Sequence, residues 1–206
     1  MPESAPSDHQ PPEPAPDGGA SLRDRLVDTG VALVDAEGAA ALSLREIARR
    51  AGVSHGAPRR YFPTHLELLS AIARRGFTDL GARVTGTLAE TDRDPRTRIT
   101  ALARVYLDFA ARHRGMYELM FRHDLLESDR FGLRDTSLPL FGVLVELIAE
   151  VRPEAEPSVV AGALWANLHG VAQLWGWGSL QLATGSEAVD PLLTTVLDAH
   201  LGPVAR

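Results

Sequence analysis

The chain has 206 residues, 45% of them hydrophobic, with no cysteine and a formal net charge of −6. That length allows one or two domains with a real core, and the absence of cysteine excludes disulfides, thiolate zinc sites and cysteine nucleophiles. No run of about 18 apolar residues offers a membrane span, and the first residues lack the basic and apolar stretches of a signal peptide, so a cytoplasmic location is expected.

The charge is unevenly placed. Residues 1–20 hold four acids and no arginine, residues 21–75 nine arginines and six acids, and residues 76–206 twelve arginines and seventeen acids; there is no lysine. The cationic excess therefore sits in one early segment, which is where an anionic partner would be met. Residues 1–20 are rich in proline and nearly free of large apolar side chains. They cannot bury enough surface to offset their ordering entropy, so they read as a disordered, passive tail.

Ser21 can cap a first helix, Leu22 to Glu37, with Leu22, Leu26, Leu33 and Val34 as its apolar stripe and Gly38 as its stop. Leu42 to Phe62 then reads LSLREIARRAGVSHGAPRRYF. Ser43 with Glu46 three residues on predicts a capping box; Leu44, Ile47, Ala48 and Ala51 share one helical face; Gly52 suits a left-handed stop. Val53 can plug the corner, and Ser54 can cap a second helix running to Tyr61. Pro58 falls early in it, where few backbone donors have intrahelical partners. Two helices about a short glycine turn are the helix-turn-helix pattern. The second helix exposes His55, Gly56, Ala57, Arg59, Arg60 and Tyr61, a small, cationic and aromatic face that a core helix would not carry.

The segment GVSHGAPRRYFPTHLELLSAIARRGF resembles the N-terminal domain of the tetracycline-repressor (TetR) family of one-component regulators, and the resemblance runs from about Leu22 to Phe77. It implies a helix-turn-helix DNA-binding domain over residues 21–77 and a helical effector-binding and dimerisation domain over 78–206. By the same resemblance DNA contacts are expected from Ser43, Ser54, His55, Gly56, Ala57, Arg59, Arg60, Tyr61 and His65. Arg59 stands where the family usually carries Tyr and keeps the phosphate-binding chemistry; His65 stands where the family usually carries Lys.

Thr64 and Glu67 predict a second capping box at the head of a long helix reaching about Thr91, with Leu66, Leu69, Ile72, Ala73 and Phe77 along it. Asp94-Pro95 opens the next helix, which buries Leu102, Val105, Tyr106 and Phe109 and ends near His113. Gly115 to Phe121 is a short apolar helix, Leu125 to Asp135 a charged loop, and a helix from Thr136 or Ser137 passes through Pro139 to Val151. Val159 to about Leu182 reads as one long apolar helix, and Asp190-Pro191 starts a last one that Gly202-Pro203 stops. The fold class is all-α, with about nine helices and no strand. Trp165, His169 and Gly170, together with GMYELMF at Gly115–Phe121, resemble the Trp-His-Gly class of C-terminal domains found in TetR-like regulators.

Tyr106, Phe109, Met116, Tyr117, Met120, Phe121, Trp165 and His169 form the expected effector pocket, since aromatic and flexible Met side chains with a few polar tips suit an adaptable small-molecule site. The histidines are scattered, without metal-ligand spacing, and no cofactor fingerprint, phosphate loop or nucleophile elbow is present, so no metal, cofactor or catalysis is expected. The function so read is a cytoplasmic homodimer that binds a palindromic operator in double-stranded DNA and is most simply a repressor relieved by a small molecule of unknown identity. The last two helices are its dimer surface. The other reading is a helical enzyme or ligand carrier with an incidental hairpin, which would lack salt-dependent DNA affinity.

Overall fold

The computed structural model describes residues 21–91, 94–128 and 132–203; the tail at 1–20 lies outside them. The described residues form ten α-helices and two 3-10 turns, and no strand among them. Helix α1 (Leu22–Glu37) starts at Ser21, whose hydroxyl accepts from the Asp24 amide at 3.2 Å. It ends at Gly38, with φ +80° and its amide on the Val34 carbonyl. A 3-10 turn at Ala39–Ala41 leads into α2 (Leu44–Arg50), then a second 3-10 turn at Pro58–Arg60 and α3 (His65–Glu90).

Helix α3 is the spine of the molecule. The Thr64–Glu67 capping box forms in both directions. Its buried face, Leu68, Leu69, Ile72, Ala73, Gly76, Phe77 and Leu80, follows the helical period. That face packs on α1 and on α4 (Pro95–Arg112), α5 (Arg114–Met120) and α7 (Leu133–Val151). Helices α6 (His123–Ser128), α8 (Pro157–Gly176), α9 (Ser179–Thr184) and α10 (Asp190–Leu201) complete the fold. One hydrophobic cluster joins α1–α3 to α5, α6, the end of α4 and the start of α7; a second joins the rest of α4 and α7 to α8 and α10. The expected division at residue 77 falls within the unbroken α3, which carries side chains of both clusters.

Several elements depart from the sequence-based expectation. The Ser43–Glu46 box forms only halfway: Ser43 Oγ accepts from the Glu46 amide at 3.1 Å, but the Glu46 carboxylate turns to Arg49 and Arg50, because two charge-assisted bonds outcompete one backbone donor. The second helix of the motif is a succession of tight turns rather than an α-helix. Ala57 donates to the Ser54 carbonyl at 3.0 Å, and Arg60 and Tyr61 donate three residues back, since Pro58 has no amide to close the α-helical bond to Ser54. The expected loop at Leu125–Asp135 contains α6 and the first turn of α7. The expected single helix at Val159–Leu182 breaks at Gly178, which takes φ +77° and starts α9. The leucines of α10 (Leu193, Leu197, Leu201) are buried within the protomer, so the exposed apolar side chains at this end belong to α8 and α9, with Trp177 60% and Leu182 90% exposed.

Candidate functional site

Two places in the fold gather chemistry. The first is the turn between α2 and α3. Gly52 takes φ +69°, as its place after α2 demands, and the Val53 amide closes on the Ala48 carbonyl at 3.0 Å. Pro58 and Phe62 are buried and clamp the following turn to the first cluster, so Ser54, His55, Gly56, Arg59, Arg60 and Tyr61 are held on the surface. Ala57 is half-buried.

The arginines around this turn divide by partner. Arg49 and Arg50 share Glu46, whose carboxyl their hydrogen bonds hold down at about 2, and Arg50 also reaches Glu37 at 2.5 Å. Arg25 donates to the Ala51 carbonyl at 3.1 Å and ties α1 to the end of α2. Among the described residues no hydrogen bond or ion pair engages Arg45, Arg59 or Arg60, and all three are exposed. Arg45, on the outward face of α2, is not among the DNA contacts expected from the sequence; the signal for it is the lack of an acid three or four residues away, where Arg49 and Arg50 have Glu46. His65 turns to a structural partner instead: its Nε2 lies 3.0 Å from the Leu42 carbonyl, so that nitrogen carries the proton and donates. This pins the start of α3 to the chain ahead of α2.

The second place is a cavity of about 580 Å³ between α3, α4, α7 and α8. Of the expected pocket residues, Tyr106, Phe121 and Trp165 line it. Phe109, Met116, Tyr117 and Met120 do not; they are buried in the first cluster, where Met116 and Met120 fill the space over Gly76. His169 stands behind the wall, half-buried. Phe77 and Leu80 of α3 and Leu138, Leu140, Phe141 and Leu144 of α7 also line it. The sequence hinted at these only through the uniformly apolar run of α7.

A hydrogen-bonded chain joins the wall to the core. Trp165 Nε1 donates to Tyr106 Oη at 3.3 Å. The two tyrosine hydroxyls are 3.0 Å apart, and His169 Nδ1 lies 2.7 Å from Tyr117 Oη and 2.9 Å from Tyr106 Oη. Both hydroxyl hydrogens find acceptors if Tyr106 donates to Tyr117, Tyr117 donates to Nδ1, and the imidazole keeps its hydrogen on Nε2. Burial supports this neutral arrangement, pushing the Tyr106 hydroxyl up to about 12, the Tyr117 hydroxyl higher still, and the His169 imidazole down. An imidazole held down in the folded state binds fewer protons than in the unfolded chain, so its contribution to stability is complete above about pH 6.5 and declines as the pH falls below that. NMR titration of the histidine rings should accordingly give His169 a midpoint under about 6.5. Gly170 has open space where a Cβ would sit.

A helix-turn-helix presenting unpaired cations, set on a helical body, is the arrangement of a DNA-binding regulator. Similarity to known proteins gives the family. A family described as bacterial regulatory proteins, tetR family, matches residues 26–72, and one described as tetracyclin repressor-like, C-terminal domain, matches residues 99–200. The chain belongs to the TetR family of DNA-binding transcriptional regulators. It is 29% identical over 178 residues to the HTH-type transcriptional regulator BetI of Serratia proteamaculans (strain 568), covering 84% of this chain and 88% of BetI. It is 29% identical over 114 residues to the nucleoid occlusion factor SlmA of Aliivibrio fischeri (strain MJ11), covering 54% of this chain and 58% of SlmA, so the match spans little more than half of that relative. Among solved structures, a protein of unknown function from Rhodococcus sp. RHA1 superposes with a TM-score of 0.77 at 29% identity, covering 90% of this chain and 96% of its own.

Proposed function

We propose that the protein is a homodimeric repressor that binds a palindromic operator and is released from it by a small molecule held in the α3–α4–α7–α8 cavity. The observation that carries the DNA half is the partition of the arginines: Arg25, Arg49 and Arg50 are committed to protein partners, while Arg45, Arg59 and Arg60 stand exposed and uncommitted among the described residues. Arg59, Arg60 and the Tyr61 hydroxyl fit phosphate contacts. His55, Gly56 and Ala57 precede them at the tip, where small side chains allow close approach to base edges and thymine methyls. One such turn reads only a few base pairs, so a two-fold dimer supplies a second half-site. The exposed apolar side chains of α8 and α9, Val159, Trp177 and Leu182 among them, fit that dimer contact. Acting on chromosomal DNA, it would work in the cytoplasm, as a regulator rather than an enzyme.

The test begins with the genome fragments that the purified protein retains, which supply the operator. Replacing Arg59 with Ala should then weaken operator binding by roughly 1–3 kcal/mol for each phosphate interaction removed, uniformly across sequences. With two protomers bound, the slope of log affinity against log salt should shrink by about 2. An unchanged slope in a folded Arg59→Ala protein would show that Arg59 does not meet phosphate.

A further inference from the structure

The polar groups of the cavity wall are already engaged by the protein. Tyr106 Oη gives its one hydrogen to Tyr117 and accepts from Trp165 Nε1, so it has no hydrogen left to offer a ligand. Ser137 Oγ lies 3.5 Å from the Arg134 carbonyl. Arg134 directs its Nε to the Leu126 carbonyl and a terminal nitrogen to the Glu127 carbonyl, closing off the end of α6. Among the described residues no Asp or Glu lines the cavity, and the rest of its wall is apolar or aromatic.

Resting on the reading of this cavity as the effector site, we propose that it takes an uncharged, predominantly hydrocarbon or aromatic molecule. A volume of about 580 Å³ is within the usual range of small-molecule pockets, roughly 300–1,000 Å³. A cation brought inside would have aromatic faces but no carboxylate, and a guanidinium nearby. An anion would meet a single guanidinium, Arg134, which is exposed and already donates to the two carbonyls that finish α6. A cation would be buried without any partner, which is strongly unfavourable, and an anion would exchange its water for that one engaged side chain. An apolar body leaves every existing hydrogen bond in place and gains from burial alone. Two of the lining side chains, Leu138 of α7 and Trp165 of α8, are also 62% and 39% exposed.

The test uses the full chain and the neutral fluorophore N-phenyl-1-naphthylamine, displaced at pH 7 by 1-decanol, decanoate or decylammonium. Decanol should displace it at a concentration at least tenfold lower than either charged partner. Equal or better displacement by decanoate or decylammonium overturns the proposal, as does failure of the fluorophore to bind at all. Gly162→Leu locates the site. Gly162 lines the cavity, and a Cβ there meets nothing within 4 Å, so the variant should fold while filling the space and should bind the fluorophore at least tenfold more weakly. Unchanged binding in a variant with wild-type thermal melting places the ligand elsewhere and also overturns it. Operator binding measured alongside separates the two ideas. Decanol bound with operator affinity unaltered would sustain the ligand class and refute release, whereas a charged compound that displaces the fluorophore and frees operator would do the reverse.

Discussion

Replacing Phe62 with Ala should remove about 3–5 kcal/mol of stability, the cost of deleting a fully buried aromatic ring, and abolish operator binding with it. Phe62 is completely buried at the end of the exposed turn. Its amide closes on the Pro58 carbonyl at 2.8 Å, and the Arg23 guanidinium of α1 lies over its ring, 5.6 Å from the centroid. The turn it anchors has no α-helical ladder, so Phe62 and Pro58 below it fix where Arg59 and Arg60 are presented. A loss of that size is a large share of the roughly 5–15 kcal/mol that holds an ordinary domain together. The signature to look for is the pairing of effects. Phe62→Ala should lower both the denaturation midpoint and DNA affinity, whereas Arg59→Ala should lower DNA affinity alone. A Phe62→Ala protein with wild-type melting would show that the ring is not the anchor.

The parts of this architecture that the sequence made legible are those decided locally. The Thr64–Glu67 box and the glycine stops at 38, 52 and 202 depend on a few neighbouring residues, and they form as read. Where a local pattern admitted two outcomes, a competing group chose. At Ser43–Glu46 the next turn of α2 supplied two guanidinium groups to the carboxylate. After Ser54 the missing amide of Pro58 turned an α-helix into i→i+3 turns. At Trp177-Gly178 the apolar pattern continues smoothly into Leu182, and only the backbone sign of one glycine breaks the helix.

The candidate pocket was legible in part for a different reason. Periodicity reports that a side chain is buried, not which side of a wall it is buried on. Phe109, Met116, Tyr117 and Met120 satisfy the same pattern as Tyr106 and Phe121, yet they are buried in the first cluster away from the cavity while the latter two line it. The α7 lining needed the packing of α7 on α3, α4 and α8 before it could be seen. The Trp165–Tyr106–Tyr117–His169 chain spans four side chains from three helices, and its sequence trace was no more than the i, i+4 spacing of Trp165 and His169.

Gly115→Ala should cost about 1–3 kcal/mol, as overpacking does, and should weaken operator binding from a position that no DNA contact requires. Gly115 is the second residue of α5, and an added Cβ would lie 2.4 Å from the Val34 carbonyl oxygen and 3.0 Å from Gly38 Cα. Both are backbone atoms, and that carbonyl already accepts the Gly38 amide that closes α1, so no side chain can swing aside. Either α1 or α5 must move. Helix α5 is fixed from behind by Tyr117, bonded to Tyr106 and His169, and by Met116 and Met120 packed against Gly76 of α3. The displacement therefore falls largely on the end of α1, where Glu37 is paired with Arg50 of α2. At roughly 2–4 °C per kcal/mol for a chain of this size, the melting temperature should fall measurably. Gly86→Ala is the control: Gly86 lies in α3 with open space at its Cβ, so the same chemical change there should stabilise by up to about 1 kcal/mol through helix propensity. Equal melting temperatures for the two variants would mean that the contact between α5 and the end of α1 yields without strain, and that α5 does not hold the DNA-binding helices in place.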